Sequence, residues 1–378
     1  VKVLIVHSRY KNGVLSGENK AVQDQIDCLR ASGHDVEEFI ISSEDHDGKL
    51  ANKMKLGFTV ATGFGPSPLR AISDFKPDIV HIHNLFPNFG TAWIEEYDGP
   101  IIATVHNFRL FCAAGTLFRN GEECTLCPSG NKTQAIKNKC YRNSRVATFP
   151  LFVRSTLPIE KSYLSNSRVT PVFLSRRVLD TYESFGFFNA NSKIVPNFTF
   201  QTTRSNVCES PSGWVFAGRL SPEKGILELM NHWPRGESLR VYGDGPLLDQ
   251  VLKSQNNYIK YGGVLTPEQV AGTIQKAHGL IVPSIWREGA FPLVAQEAYS
   301  VGRPIVCLPN NSLADEVALG GGGVCIPNLT LLSEALQQIK SHADSYQRLV
   351  EKSYNARYAP SVWLKGIESV YNERIQQL

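Results

Sequence analysis

Short apolar runs alternate with amphipathic stretches along almost the whole chain. Val3-Leu4-Ile5-Val6 gives way to a polar, glycine-bearing loop (Asn12, Gly13, Ser16, Gly17). Ala21, Val22, Ile26 and Leu29 then recur at the spacing of one helical face, and Gly33 ends that helix as a C′ residue. Asp35 to Ile41 resumes as a strand, and Ile79–Ile82, Ile101–Val105 and Val172–Leu174 are further apolar runs of strand length. Strands separated by helices need crossover connections, so the pattern predicts a parallel sheet covered on both faces.

The alternation restarts after Pro196 and a polar, small-residue stretch from Thr202 to Ser212. Trp214–Ala217 precedes a helix from about Gly225, Leu239–Tyr242 precedes a helix from Pro246, and Leu280–Val282 precedes a helix whose first turn suits Pro292. Pro304–Leu308 is another strand, and Val362, Trp363, Ile367, Val370 and Tyr371 make the last segment amphipathic. The economical reading is an α/β protein with two successive domains, 1–200 and 201–359, and a terminal helix, 360–378, packing back on the first.

A length of 378 residues agrees with two or three domains, and 42% hydrophobic with 20% charged residues is ordinary for a globular chain. No run approaches the ~18 apolar residues of a membrane span. The run Val1–Val6 is shorter than a signal-peptide core, so the expected location is cytoplasmic. The net charge of +4 is too small for a general polyanion binder. Its distribution says more: between Gly130 and Asp180 stand ten Lys or Arg against Glu160 and Asp180, which leaves the rest of the chain net acidic.

In open parallel sheets ligands bind beyond the carboxyl ends of strands. The most informative turn is Gly218-Arg219-Leu220-Ser221-Pro222-Glu223-Lys224-Gly225, where two cations framed by glycines at a helix start can grip a diphosphate. A second turn, Gly243-Asp244-Gly245-Pro246, permits close backbone approach to a phosphate; it half-matches a dinucleotide fingerprint but lacks the third glycine. Asp45-His46-Asp47 reads as a solvated polar loop. From Glu288 to Glu297 one carboxylate precedes a helix and another lies inside it, where they could accept hydrogen bonds from ribose or hexose hydroxyls or be ordinary helical acids.

Gly218-Arg219 with Lys224-Gly225, Gly243–Pro246, Glu288 through Glu297-Ala298, and Gly302-Arg303-Pro304-Ile305-Val306 together resemble the retaining GT-B glycosyltransferases of family 4. Ser16-Gly17-Glu18-Asn19-Lys20-Ala21-Val22, Gly33-His34-Asp35-Val36, Thr104-Val105-His106-Asn107 and Pro196-Asn197 extend the likeness into the first half. The resemblance implies two Rossmann-like domains facing across a cleft, with the terminal helix crossing back to the first. It also implies transfer of a sugar from a UDP-, GDP- or ADP-sugar to a glycan or lipid-linked acceptor with retention at the anomeric carbon. By the same resemblance Arg219 and Lys224 would hold the diphosphate, Glu297 the ribose and Glu288 the donor sugar. Ser16, Gly17, Gly243, Phe291, Pro292 and Leu293 would line the donor, and His106 would lie near the reacting carbon, with no metal needed in catalysis. Eight residues separate Glu288 from Glu297 where the family has seven, and Ser16 stands where it has a first glycine.

Eight cysteines without a secretory signal argue against a disulfide framework. Cys112, Cys124, Cys127 and Cys140, spaced C-x11-C-x2-C-x12-C in an insertion-like, turn-rich region of about 108–145, could close a structural zinc site or remain four free thiols. The downstream cations, interleaved with Phe149, Leu151, Phe152, Val153 and Leu157, suit either a solvated helix face or an anionic surface, such as the inner face of a membrane or a lipid diphosphate. Two rival functions are an NAD(P)-dependent oxidoreductase resting on Gly243-Asp244-Gly245 and a zinc-containing nucleic-acid binder resting on the cysteines and cations. Stacking platforms for bases are not evident, so nucleic acid is not an expected partner.

Overall fold

The structure is a computed structural model that describes residues 1–9, 17–42, 50–201, 210–287 and 289–377. Ser16, Asp45-His46-Asp47 and Glu288 lie outside the described residues. The chain divides into two units, one of Val1–Leu117, Cys124–Val195 and Leu364–Leu378, the other of Phe118–Glu123 and Pro196–Trp363. The boundary thus falls between Val195 and Pro196, five residues before the break expected after 200, and the terminal helix Pro360–Gln376 contributes to both units.

The strands in chain order are β1 (Lys2–Arg9), β2 (Asp35–Ser42), β3 (Ile79–Asn84), β4 (Ile101–Val105), β5 (Phe118–Arg119), β6 (Glu122–Glu123), β7 (Val169–Phe173), β8 (Lys193–Ile194), β9 (Trp214–Ala217), β10 (Leu239–Tyr242), β11 (Ile259–Tyr261), β12 (Leu280–Val282), β13 (Ile305–Cys307) and β14 (Gly323–Cys325). In the first unit they form the parallel sheet β2-β1-β3-β4-β7-β8, and in the second the parallel sheet β11-β10-β9-β12-β13-β14. In each sheet the chain order reverses once, between β1 and β3 and between β9 and β12. Val3, Leu4, Ile5 and Val6 are fully buried because both faces of the first sheet are covered. Each such side chain contributes about 1.5–3 kcal/mol relative to exposure.

The helix Gly17–Ala31 buries Ala21, Val22, Ile26 and Leu29, the face its spacing predicts, and Gly33 follows with φ +85°. Strand β7 starts earlier than the expected Val172, running through Pro171. Its neighbour β8 pairs only with Val172 and Phe173, so on that side Pro171 leaves no sheet partner without a donor. Pro292 is the N-cap of the helix Leu293–Ser300, with extended ψ, and does not lie in its first turn. The short strands β8, β11 and β14 escape a reading based on long apolar runs.

The terminal helix is fixed to the first unit by polar contacts. Tyr371 is fully buried, and its hydroxyl lies 2.7 Å from His81 Nδ1, while His81 Nε2 lies 2.8 Å from Thr104 Oγ1. Arg374 donates to the carbonyl of Ser167 at 3.1 Å, and His34 meets Glu368 at 3.0 Å. Upstream in the same helix Trp363 packs on Phe198, ring centroids 4.9 Å apart, within the second unit. Tyr371→Phe strands a buried imidazole nitrogen, and unfolding by urea is expected to show a loss of about 1–3 kcal/mol. A midpoint equal to that of the parent would contradict this account of the helix.

Candidate active site

The second unit gathers three turns at the carboxyl ends of adjacent parallel strands, β10, β9 and β12, where the strand order reverses. The amide of Gly218 donates to Tyr242 at 3.1 Å, that of Leu220 to Asp244 at 2.9 Å and that of Leu247 to Leu220 at 2.9 Å. These bonds join the turn after β9 to the turn after β10. A Cβ on Gly243, whose φ is +135°, would lie 1.8 Å from the Gly218 carbonyl oxygen, so no other residue fits there. On the other flank the amide of Ile285 donates to Glu223 at 3.0 Å, and Gly225, with φ +68°, approaches Pro283 so closely that a Cβ would stand 2.2 Å from its oxygen.

Arg219 and Lys224 are both carried on this doubly anchored turn. Arg219 is exposed, and Lys224 is half-buried with Nζ 5.5 Å from the ring centre of Trp286. Pro222–Lys224 is a single 3-10 turn that hands over through Gly225 to the helix Ile226–Asn231. The loop after β12 is held in turn by the next strand's loop: Asn311 Nδ2 donates to the Ser284 carbonyl at 3.3 Å and Ser312 Oγ to that of Ala290 at 2.7 Å. Phe291 is buried, its ring stacked 4.8 Å from Tyr358, and Leu293 and Pro292 beside it are half-buried. Glu297 is buried on the helix that Leu293 begins. The structure therefore brings Arg219, Lys224 and Gly243 onto one set of bonded turns, with Phe291 to Glu297 on the neighbouring strand's loop and helix.

In the first unit the equivalent strand ends carry histidines. His81 and His83 stack with centroids 4.3 Å apart, His83 Nδ1 lies 3.2 Å from His106 Nε2, and His7 Nε2 lies 3.1 Å from Asn19 Oδ1. Burial is the main reason their basicity falls: His7 is held down to about 4, His81 and His106 to about 3, and His83 well below the ordinary value. All four are uncharged at neutral pH. Gly17 is exposed at the start of the first helix.

Glu18, next to it, is a residue that sequence reasoning quoted but gave no role. Its carboxylate accepts from Asn84 Nδ2 at 2.7 Å, and burial pushes it up to about 7 against the opposing hydrogen bonds of Asn84 and Asn107 and the charge of Arg109. Its partners stand 66 and 89 positions away, which no local pattern reveals. Asn84, His83, His106 and Asn107 also line a cavity of about 230 Å³ in this unit.

The four cysteines of the insertion also lie in the first unit. Burial pushes the Cys127 thiol up to about 11, reinforced by Cys112, Cys140 and Cys124 in that order. Among the described residues, however, no three His, Cys, Asp or Glu are placed to hold a metal ion.

Residues 212–342, within the second unit, match the model of the glycosyl transferases group 1 family. Among curated protein sequences there is no match. The fold is GT-B. The structure is similar to sucrose-phosphate synthase from Thermosynechococcus elongatus, at 14% identity with a TM-score of 0.69 and 100% of both chains covered. It is also similar to a glycosyltransferase from Rickettsia africae, at 14% identity and TM-score 0.63 over 100% of this chain and 99% of that one. HepE of Anabaena, solved in complex with UDP and glucose, gives 14% identity and TM-score 0.62 over 98% of this chain and 99% of that one.

The buried histidines make stability depend on pH with a definite sign. Below 6.5 the unfolded chain takes up protons that the folded histidines refuse until about 3 to 4, so stability is lost as pH falls. Glu18 acts the other way between 4.5 and about 7, but one group does not offset four. Urea unfolding is expected to show lower stability at pH 5 than at pH 7, by on the order of 1 kcal/mol or more. Equal stability at the two values would refute the buried, neutral histidines.

Proposed function

We propose that this chain is a retaining glycosyltransferase that moves a sugar from a nucleotide-diphosphate donor to a glycan or lipid-linked acceptor. The observation that carries the reading is the placement of Arg219 and Lys224 on one backbone-anchored turn at the strand-order reversal of the second sheet. In this reading the two cations hold the diphosphate, Glu297 the ribose and Glu288 the donor sugar. The close turn at Gly243 and the Phe291–Leu293 backbone would approach the nucleotide, and Ser16 and Gly17 are the residues assigned to the donor in the first half of the chain.

The chemistry follows from where charge develops. The bond between the anomeric carbon and the phosphate oxygen breaks, its electron pair leaves with the nucleoside diphosphate, and the acceptor oxygen attacks from the same face. The acceptor proton passes to the departing phosphate. Fixed cations aimed at the diphosphate stabilise the growing negative charge without reorganising, which removes the need for a divalent metal. A neutral His106 near the anomeric carbon can accept or donate a hydrogen bond without repelling the positive charge that develops there. The ten basic residues between Gly130 and Asp180 support action at the inner, anionic face of a membrane.

Arg219→Ala and Lys224→Ala are each expected to lower transfer by about 10- to 100-fold, the effect of losing one charged hydrogen bond, with the fold intact. Near-normal turnover in both single variants would defeat the assignment. A thermal-shift series with UDP, GDP, ADP and their sugars identifies the donor, because only a ligand of the native state raises the midpoint. Treatment with EDTA is expected to leave transfer unchanged; activity lost and then restored by Mg²⁺ would show a metal-dependent enzyme instead.

A further inference from the structure

The cavity of the first unit has an unbalanced lining. Arg109, Lys132, Arg154 and Lys161 contribute four cations, and no Asp or Glu among the described residues joins them. None of the four forms an ion pair with a described carboxylate, and the one acid that feels the charge of Arg109 is the buried Glu18, which burial holds only partly ionised at neutral pH. Arg154 donates to Thr91 Oγ1 at 3.0 Å, and burial lowers its basicity. Arg109 lies over the ring of Phe86, 4.2 Å from its centre, donates to the Ala113 carbonyl at 2.9 Å, and keeps a buried Nε without a hydrogen-bond partner. Desolvated guanidinium groups cost free energy unless an anion meets them, and a phosphate matches their planar donors.

The rest of the lining is apolar, with Phe86, Leu110, Leu151 and Leu157 among it. Leu157 is also exposed, so the apolar lining reaches the surface there. Two helices that wall the cavity, Leu50–Thr62 and Arg145–Ser155, expose large hydrophobics. Leu50 (74%), Met54 (68%) and Phe58 (58%) recur every fourth residue, and Val146 (84%) and Phe149 (55%) stand three apart. No acid occurs from Leu50 to Thr62 or from Asn131 to Ile159, whereas Lys53, Lys55, Arg142 and Arg145 do.

From this juxtaposition we propose that the acceptor bound in the first unit is a lipid diphosphate, its phosphates met by Arg109, Arg154, Lys132 and Lys161. About 230 Å³ accommodates a polar head group and not a long chain, so the hydrocarbon leaves past Leu157 onto the exposed apolar face. The proposal rests on the glycosyltransferase reading for its acceptor role, and it adds the chemical class that the reading leaves open. The alternating apolar and cationic residues of the two helices distinguish this ligand from a free glycan, which needs hydroxyl-matching acids and amides instead.

Titration of the full chain with farnesyl diphosphate, inorganic pyrophosphate and farnesol tests it by calorimetry. Farnesyl diphosphate is expected to bind at least about tenfold more tightly than pyrophosphate, and farnesol not measurably. Arg154→Gln and Lys161→Gln should each weaken farnesyl diphosphate about tenfold, and Lys161 is exposed enough that its replacement spares the fold. Pyrophosphate binding as tightly as the lipid would overturn the lipid assignment in favour of a free anion. Binding that survives both substitutions but is lost in Arg219→Ala would overturn the site itself, since the ligand would then occupy the second unit. Failure of UDP, GDP and ADP to bind would overturn the donor reading alone, so the two failures are told apart.

Discussion

A Cβ on Gly243 would fall 1.8 Å from the carbonyl oxygen of Gly218, so the turns that follow β9 and β10 approach each other more closely than any side chain permits. That contact is possible only because parallel strands end side by side and point the same way, which places successive turns within backbone hydrogen-bonding reach. Leu220, Asp244 and Leu247 complete the bonding on one flank, and Glu223 with Ile285 on the other. The Arg219–Lys224 turn is thereby fixed by main chain on both sides. Positioning of this kind costs little when charge builds up on a ligand, because the donors and cations already occupy their places.

The first unit meets the same geometric opportunity with opposite chemistry. Its strand ends bring together His7, His83 and His106, which burial keeps neutral, and Glu18, which burial holds near half-protonation at neutral pH. The cavity's cations, Arg109 and Arg154 among them, stand among aromatic and aliphatic groups. In the proposed function one unit would hold a diphosphate by exposed and half-buried cations, while the other surrounds uncharged proton-bearing groups with an apolar and cationic wall. This division agrees with a reaction in which a charged leaving group and a hydroxyl nucleophile come from different ligands.

Much of the architecture could be read from residues. Apolar runs at Val3–Val6, Ile101–Val105, Trp214–Ala217 and Leu280–Val282 all became strands because each is buried on both faces and bounded by polar or glycine-rich turns. The two- and three-residue strands β8, β11 and β14 were illegible, since a pair of ladder bonds leaves no period to count. Pro171 hid the start of β7, because only the shortness of β8 makes a proline tolerable there. At the site, glycine-framed cations were visible as a motif, whereas Glu18, Asn84 and Asn107 converge from a helix start and two strand ends and carry no local signature. The cysteine spacing constrains reach but not direction, and among the described residues no three potential ligands stand ready for a metal ion.

The first unit is assembled from three separate stretches of chain, the last of them Leu364–Leu378. Tyr371 supplies the hydroxyl that meets His81 in the middle of the sheet, and Arg374 ties Ser167. During synthesis, therefore, the amino-terminal sheet must wait with one of its central polar groups unmatched while the whole second unit is made. No single cut near Pro196 would release two complete halves, and a fragment ending there would begin life with an open seam.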